Sequence, residues 1–394
     1  MDLQNVTYPV LDREPERVIR ELRRHSPVVP VTLWNGRRAW LVTRLAEACQ
    51  ALTEPALSSD GSNPNFPSLN PAQDTANRQS GVARVDADRH AALRGLLAGS
   101  FTVRAVRRWR RTAQQIAADQ LAAMLRSGPP ADLVAGFALP VPLRMICTML
   151  GVAEQDMDLI ERAAPGTVAR ADRSSQPAMN DLRGLVEDLV RHNEIEPRAG
   201  LIGQLVSAYT RTGVITRQEL VDTVLVLMVA GHLTTAGTIG LSVLSLLREP
   251  SRYRAIQENP GLVAPMVEEF LRLQSVVSDG VPRVAKHDLV LAGVTIRAGD
   301  AVVISIPSAN RDEGMFTAPD EFQPHRAEAI RHIAFGWGAH RCLGQHLARM
   351  EVRVALATLV GTVPTLRLAD PAGQVRSTHA DRHMKGLYEL LVTW

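Results

Sequence analysis

The feature that most constrains the fold is an uncharged stretch, residues 223–247, in which 25 consecutive residues carry no formal charge. A segment of this length could form a helix that crosses a lipid bilayer. It contains several Thr and Ser side chains, three glycines and His232, however, and the sequence has no second such segment for it to pack against. We therefore expect a long helix, residues 218–247, buried in a helical protein. The uncharged stretch would span roughly 38 Å, the width of a domain of this size.

Apolar residues recur with helical periodicity along most of the chain. Helices are predicted at residues 13–24, 45–52, 104–125, 155–164, 180–194, 218–247, 251–258, 263–273 and 343–360. Strands are few and short: a hairpin is predicted at 28–33 and 39–42 around Asn35-Gly36, and a second small sheet at 284–291, 294–296 and 301–306. The fold class is therefore mainly α with small β-sheets.

Length and charge limit the class of protein. The 394 residues exceed the usual size of one domain, but no linker or internal repeat divides them, so we expect a single domain, 1–394. The 44 basic and 41 acidic residues leave a net charge of +3, which gives a general nucleic-acid role no support. The charged N-terminal segment has no signal-peptide core, and three scattered cysteines are too few for a disulfide framework. We expect a cytoplasmic protein without membrane contact.

Residues 332–344, the Cys loop, carry the side chain best suited to metal chemistry. Cys342 stands among three glycines, which permit tight left-handed turns close to a sulfur. An apolar-periodic helix follows, so the thiol lies near a helix N-terminus, where free N–H groups and the helix dipole stabilise a thiolate. A thiolate held by backbone donors is a tunable metal ligand. Cys49 and Cys147 lack this setting and are predicted to be small buried hydrophobic residues.

The Cys loop contains the sequence FGWGAHRCLG, which resembles the cysteine-ligand loop of the cytochrome P450 superfamily, specifically of its soluble bacterial members. The resemblance implies haem b as cofactor, Cys342 as the iron ligand, and Phe335, His340 and Gly344 as haem contacts. In this family the thiolate pushes electron density toward O–O cleavage. The resemblance also implies a single, mainly helical domain in which haem lies between the central helix, 218–247, and the Cys loop.

A second motif supports the resemblance. Glu269 and Arg272 match the family's Glu-x-x-Arg helix, and residues three apart on a helix can form an ion pair. Alone this spacing is a weak signal, because such pairs are usually solvated. The resemblance adds Arg326 as a third partner, in a buried cluster with a structural role and no catalytic one.

The resemblance also assigns four basic side chains to the two haem propionates. His90 and Arg94 stand at i and i+4 of one predicted helical face, and Arg283 and His340 occupy positions where family members place further donors. Each of these alone would be an ordinary surface charge. Propionates are costly to bury without partners, which gives the four positions a shared purpose.

The central helix contains the sequence AGHLTT at residues 230–235, where family members have two small residues, any residue, an acid and Thr. By resemblance Ala230 and Gly231 leave room for O2, and the Thr234 hydroxyl lies beside it. A Thr packed in a helix interface is the ordinary alternative. Leu233 departs from the family pattern: Glu or Asp usually relays protons toward bound oxygen here, and leucine cannot move a proton.

Two segments map onto mobile parts of the family. The Pro-rich stretch 58–84 corresponds to the substrate-covering loop, although its composition fits a surface excursion equally well. Residues 161–180 correspond to the mobile lid. The expected substrate pocket is apolar with few aromatics, which suits a bulky apolar or polycyclic metabolite. Its predicted lining is Phe66, Leu69, Val226, Ala230, Leu233, Thr234, Val276, Val277 and Met384.

The expected reaction uses O2 and two electrons to hydroxylate or epoxidise a small, largely apolar metabolite, in bacterial secondary metabolism. The electrons would come ultimately from NAD(P)H through a ferredoxin reductase and an acidic ferredoxin, which a monomeric enzyme would bind on a proximal basic face. That face is predicted to contain Arg104, Arg107, Arg108, Arg349 and Arg353. A solvated basic surface is the alternative for these arginines.

Three other functions stay open. The enzyme could catalyse an atypical haem-thiolate oxidation such as phenol or aryl coupling, with substrate protons replacing the missing acid. It could be a P450-like helper that binds a partner enzyme, or a haem binder without turnover. Cys342, Arg94 and His340 argue against the helper, because a scaffold needs no ligand loop.

Overall fold

The structure, a computed structural model, describes residues 6–8, 15–70, 81–167, 176–372, 375 and 384–394. Its helices are α1 Pro15–His25, α2 Leu45–Thr53, α3 Ala87–Ala98, α4 Val103–Arg108, α5 Arg110–Arg126, α6 Pro140–Leu150, α7 Glu154–Thr167, α8 Gln176–Ile195, α9 Leu201–Thr212, α10 Arg217–Arg248, α11 Pro250–Glu258, α12 Val263–Gln274, α13 Ile306–Ala309 and α14 Gln345–Thr362. Its strands are β1 Thr7–Tyr8, β2 Val28–Leu33, β3 Arg38–Val42, β4 Leu57–Ser58, β5 Ala131–Asp132, β6 Val281–Ala285, β7 Leu289–Leu291, β8 Val294–Ile296, β9 Ala301–Ile304, β10 Arg367–Leu368 and β11 Leu391–Thr393. The mainly helical class with small sheets is confirmed.

The described residues form two compact units. The first, here called the sheet unit, lies within Met1–His90 and Glu268–Cys342. The second, the helical unit, lies within Ala91–Arg170, Ser174–Val267 and Leu343–Trp394. The expectation of one domain spanning residues 1–394 stays a prediction.

The sheet unit is built on a six-stranded sheet in the order β1-β2-β3-β9-β6-β4. The predicted hairpin is present: β2 and β3 pair antiparallel, and Gly36 adopts the positive φ of +79° that the turn requires. Alternate residues of the strands pack on opposite faces, one with Leu22 of α1 and the other with Ala48 of α2. The sheet is therefore buried on both sides.

The predicted second sheet is wrong. Strand β9 pairs parallel with β3, and β6 pairs antiparallel with β9, so both belong to the sheet of the hairpin. Residues 286–288 separate β6 from β7, so 284–291 is not one strand. Strands β7 and β8 form a two-stranded sheet of their own. The parallel pairing joins residues about 260 positions apart, and no local pattern indicates it.

The central helix of the helical unit is α10. It begins at a capping box, in which the Thr216 hydroxyl accepts from the Glu219 backbone N–H and the Glu219 side chain accepts from the Thr216 N–H. Helices α6, α8, α11 and α14 pack against it, and most of its side chains are buried. Among the described residues it is the one helix long and apolar enough to span a membrane, and its burial is that of a core helix.

The helix predictions missed one break and several helices. Residues 104–125 form two helices, α4 and α5, which meet at Trp109. Helix α6 was not predicted, because it is buried on nearly every side and therefore lacks an amphipathic period. Helix α9 was not predicted either. Part of the predicted substrate-covering loop, 71–80, and part of the predicted lid, 168–175, lie outside the described residues.

Candidate active site

The Cys loop makes the tight turns that its glycines predict. Gly336 and Gly338 have φ of +69° and +73°, and a Cβ on Gly338 would lie 2.9 Å from the carbonyl oxygen of Leu52. The Cys342 N–H donates to the carbonyl oxygen of Phe335 at 2.8 Å, which closes the loop. Cys342 itself is exposed and precedes α14, whose N-cap is Gly344. Its thiol is thus placed to bind a group from outside the protein.

The other two cysteines have different surroundings. Cys147 is buried in α6, and Cys49 is half-buried in α2. Burial raises the pKa of the Cys49 thiol, which disfavours the thiolate that a metal ligand needs. Of the three, Cys342 alone combines exposure with a Gly-rich turn.

Two of the predicted propionate ligands lie in contact. The ring centroids of His90 and His340 are 3.9 Å apart, with the ring planes tilted by 34°. His90 is buried at the start of α3, and Arg94 follows on the same helix one turn later. The structure therefore brings the Cys loop and the first turn of α3 together at two imidazoles.

The third predicted ligand, Arg283, lies on β6 and is 3% exposed. Its Nη1 donates to the carbonyl oxygen of Pro282 at 2.8 Å. Burial and, to a smaller extent, the charge of Arg84 lower the pKa of Arg283 to about 10, and the charge of Asp86 opposes this shift. Arg84, which sequence reasoning missed, lies with its guanidinium carbon 5.1 Å from the centroid of the Phe66 ring.

These residues fit the cofactor that the sequence implies. An exposed thiol in a glycine turn suits an iron atom, and the buried guanidinium of Arg283 suits a propionate. Cys342, His90, His340 and Arg283 all lie in the sheet unit. The chemistry of the donor set is therefore that of a haem-thiolate site.

The predicted ion cluster is assembled in the structure. Glu269 Oε2 lies 2.7 Å from Arg272 Nε, and Glu269 Oε1 lies 3.0 Å from Arg326 Nε. Glu269 and Arg272 are 0% exposed, and Arg326 is 8% exposed. The remaining guanidinium N–H groups donate to backbone carbonyls of the segment before the Cys loop, at Asn310, Thr317, Ala318, Pro319 and Glu321. The cluster thus fixes that segment to α12, a structural role.

A second buried pair, not predicted, lies at the start of the Cys loop. His332 Nε2 is 3.3 Å from Glu268 Oε2, and the backbone N–H of Ala334 donates to His332 Nδ1 at 3.0 Å. Because Nδ1 accepts a hydrogen bond, Nε2 carries the proton and donates to Glu268. Glu268 is adjacent to Glu269, so two consecutive acids of α12 bind two segments of the chain. Glu268 contacts His332 at the start of the Cys loop, and Glu269 contacts Arg326 in the segment before it. The only signal in the sequence was the pair of neighbouring glutamates in an otherwise apolar helix.

The oxygen-site residues predicted on α10 lie on its accessible face. Val226, Ala230, Thr234 and Gly237 are half-buried or exposed, whereas the residues between them are largely buried. The Thr234 hydroxyl donates to the carbonyl oxygen of Ala230 at 2.8 Å, the i−4 hydrogen bond expected for a threonine in a helix. Gly231 is half-buried, and the Thr235 hydroxyl donates to its carbonyl oxygen at 3.1 Å. The small residues and Thr234 therefore present one open strip.

Leu233 is more buried than the residues of this strip. It is 8% exposed and lines a cavity of about 40 Å³ together with Met384, another predicted pocket residue. The rest of the lining is Val134, Leu139, Ala236, Gly237, Gly240, Lys385, Gly386 and Leu387. The neighbouring His232 is buried, and burial lowers its pKa to about 4, so it is neutral near pH 7.

The other predicted pocket residues lie in the sheet unit. Phe66 is 7% exposed and lies against Arg84. Val276 is buried and Val277 half-buried, directly after α12. Leu69 is 1% exposed and packs in the sheet core with residues such as Val31. The structure therefore gives Leu69 a core position in place of the predicted pocket position, because it faces the strands.

The predicted basic face lies on helices that contact each other. Arg104, Arg107 and Arg108 are exposed on α4, where Val106 is the buried residue. Helix α14, which carries Arg349 and Arg353, packs against α4 and α5. A basic face formed by these arginines together stays a prediction.

Comparison with known proteins identifies the family. The family model described as cytochrome P450 matches residues 191–362. Cytochrome P450 105A3 of Streptomyces carbophilus is 40% identical over 93% of this chain and 89% of its own length, and vitamin D3 dihydroxylase of Streptomyces griseolus is 40% identical over 94% and 91%. The crystal structure of mycinamicin VIII C21 methyl hydroxylase from Micromonospora griseorubida is 35% identical, with a TM-score of 0.90 over 99% of this chain and 100% of that one. The chain belongs to the cytochrome P450 family of bacterial haem monooxygenases.

Proposed function

We propose that this enzyme binds haem b through the Cys342 thiolate and oxidises a small, largely apolar metabolite by hydroxylation or epoxidation. The observation that carries the proposal is the exposed Cys342 thiol, held in a turn that needs positive φ at two glycines. When bound, the haem supplies activation of O2 with two electrons. The protein residues would bind and orient the haem and the substrate, and they would exclude water from the site.

The loop around Cys342 tunes the ligand. A backbone turn fixed by the Cys342 N–H and by the close approach of Gly338 to Leu52 keeps the thiol in place. His90, His340 and Arg283 would bind the propionates, with Arg94 on the following turn of α3. The ion cluster of Glu269 holds the chain segment that leads into this loop.

The accessible strip of α10 would face the substrate and oxygen. Ala230 and Gly231 offer little bulk there, and Thr234 offers a hydroxyl whose proton is donated to Ala230. In this geometry the Thr234 oxygen can accept a hydrogen bond from a water or a substrate group. Leu233 can hold no proton, so the usual carboxylate step of proton delivery is missing from this chain.

The substrate class follows from the apolar lining and from the relatives. Relatives include proteins described as vitamin D3 dihydroxylase, pentalenic acid synthase and 20-oxo-5-O-mycaminosyltylactone 23-monooxygenase. Because the predicted pocket residues are apolar, a bulky apolar metabolite of secondary metabolism is the substrate that we infer. The enzyme would work in the cytoplasm as a monomer and take NAD(P)H electrons from a ferredoxin that binds Arg107, Arg108 and their neighbours.

A second reaction is favoured by one observation, the buried and apolar position of Leu233. A substrate with its own phenolic hydroxyl or amine could supply the missing proton, as phenol or aryl coupling would require. This chemistry keeps the same ligand and the same haem site. It differs from hydroxylation in its dependence on a polar substrate group.

The ligand is tested by the spectrum of the reduced, CO-bound enzyme. We expect Cys342→Ala to abolish the red-shifted Soret band that a thiolate ligand produces. Cys49→Ala and Cys147→Ala are matched controls and should keep the band, because both thiols lie away from the turn. A normal band in Cys342→Ala would refute the proposed ligand.

A further inference from the structure

Two arginines of the sheet unit, the half-buried Arg84 and the buried Arg283, lie near enough for the charge of Arg84 to act on Arg283. Arg283 is 3% exposed on β6, and its hydrogen bond goes to the carbonyl oxygen of the preceding Pro282. Arg84 ends the short helical turn Gly81–Arg84, and its Nε has neither accessible surface nor a hydrogen-bond partner. A buried donor of this kind is costly unless something binds to it.

The surrounding side chains leave positive charge in excess. Asp86 is the acid whose charge reaches Arg283; its Oδ2 accepts from the Ser58 hydroxyl, and its Oδ1 accepts from the Ser59 N–H at 2.7 Å. Across the described part of the chain, no carboxylate forms an ion pair with Arg84 or Arg283. Burial lowers the pKa of both groups to about 10, and the charge of Arg84 contributes to the shift at Arg283.

Arg84 is held in place by an aromatic ring. Its guanidinium lies over the face of Phe66, with the carbon 5.1 Å from the ring centroid. Such stacking fixes the plane of the guanidinium while leaving its N–H edge free to donate. A planar fork fixed in this way is preorganised for a carboxylate, to which it can donate two parallel hydrogen bonds.

We propose that Arg84 and Arg283 together bind one carboxylate group. The family resemblance assigns Arg283 to a haem propionate, but nothing in the family pattern assigns Arg84. The inference rests on the proposed haem-binding function, since the carboxylate is either a propionate of the haem or a carboxylate on the substrate. In both cases Arg84 supplies the second cation, and Phe66 sets its orientation.

The first arm of the test measures haem retention. Ferric enzyme is mixed with excess apomyoglobin, and the rate of haem transfer is followed for wild type, Arg84→Gln, Arg84→Lys and Arg297→Gln. If the carboxylate is a propionate, Arg84→Gln should accelerate haem loss on the order of tenfold, as expected for a lost hydrogen bond to a charged group. Arg84→Lys keeps the positive charge but lacks the planar guanidinium, so its rate of haem loss should lie between those of wild type and Arg84→Gln. Arg297→Gln, at a side chain 77% exposed on the same unit, is the matched control and should behave as wild type.

The second arm measures ligand binding by the Soret shift, with dodecanoate and methyl dodecanoate as probes. If the carboxylate belongs to a substrate, Arg84→Gln should weaken dodecanoate on the order of tenfold, leave the ester unchanged and keep its haem. The proposal is overturned if Arg84→Gln transfers haem at the wild-type rate and the preference for dodecanoate over methyl dodecanoate is either unchanged by the substitution or absent. Should Arg84→Gln not fold, Arg84→Lys decides by the same readouts. The CO spectrum of wild type tests the Cys342 ligand separately. A failure of the carboxylate proposal can therefore be distinguished from a failure of the proposed haem-thiolate function.

Discussion

Replacing Glu269 with glutamine should destabilise the protein strongly. The change removes the negative charge between Arg272 and Arg326, and both guanidinium groups then stay buried without a counter-charge. Removing one partner of a buried pair costs about 3–5 kcal/mol. Their hydrogen bonds to backbone carbonyls are unaffected, so the loss comes from the charge and from the three hydrogen bonds that the arginines donate to the carboxylate. The glutamine oxygen can still accept from the N–H of Gln323, as Glu269 does at 3.0 Å.

The measurement is thermal unfolding of the haem-loaded enzyme. At roughly 2.1 cal/mol/K per residue, a chain of this length has an unfolding entropy of about 0.8 kcal/mol/K, so the expected loss lowers Tm by about 4–6 °C. A larger shift would follow if the sheet unit unfolds separately, because fewer residues then contribute to the entropy. The CO spectrum of the variant, measured well below its Tm, should still show the thiolate band.

The control is an exposed pair of the same chemistry. Asp188 and Arg191 are 2.8 Å apart with side chains 55% and 60% exposed, so Asp188→Asn should change stability by less than about 1 kcal/mol. If Glu269→Gln shifted Tm no more than Asp188→Asn, the two arginines would be solvated in solution. The argument from burial would then be refuted.

Three further outcomes are expected. Leu233→Glu should improve coupling of electrons to product for surrogate substrates without polar groups and do little for the true substrate. Thr234→Ala should raise peroxide release, measured as peroxide per NAD(P)H, more with surrogates than with the true substrate. Equal uncoupling of Thr234→Ala with the surrogates and with the true substrate would favour a water relay. Reversing charge at Arg107 and Arg108 should slow ferredoxin-supported reduction in stopped-flow, less so at high salt, and an effect independent of salt would count against the basic face. Burial raises the pKa of Glu351 in the folded state. Above the ordinary pKa of a glutamate, the unfolded chain therefore loses a proton that the folded state keeps. The stability of the fold consequently falls as pH rises toward the folded-state pKa. Glu351→Gln should therefore raise Tm at about pH 8 and leave it nearly unchanged at about pH 4, and equal shifts at both would exclude this titration.

Sequence reasoning succeeded where the determinants of structure are local. Strand β2 was predicted to the residue, because β-branched residues precede the Asn35-Gly36 turn. Helix α10 was predicted within one residue at each end, because a long uncharged run with helical periodicity is closed by Arg248. The helix break at Trp109 has no Gly or Pro to signal it, and the pairing of β9 with β3 depends on residues far apart in the chain.

The candidate site divides in the same way. The turn around Cys342 follows from its glycines and the Glu269–Arg272 pair from its spacing on one helix, whereas Arg326 was placed by the family resemblance. Arg84 could not be recognised, because an arginine in an irregular, polar segment looks like a solvated charge until its burial against Phe66 is known. Leu69 was misplaced for the opposite reason: a leucine in a loop gives no sign of which surface it packs on.

The position of β9 inside the six-stranded sheet has a consequence for synthesis on the ribosome. Strand β3 leaves the ribosome early, but its partner β9 follows about 260 residues later, and at 5–20 residues per second the delay is roughly 13–50 s. During that time the hydrogen-bonding edge of Arg38–Val42, with Ala39, Leu41 and Val42 destined for the core, has no native strand beside it. Nascent chains of this enzyme should therefore depend on holdase chaperones until the last quarter is translated, and slow codons before Ala301 would lengthen the exposure.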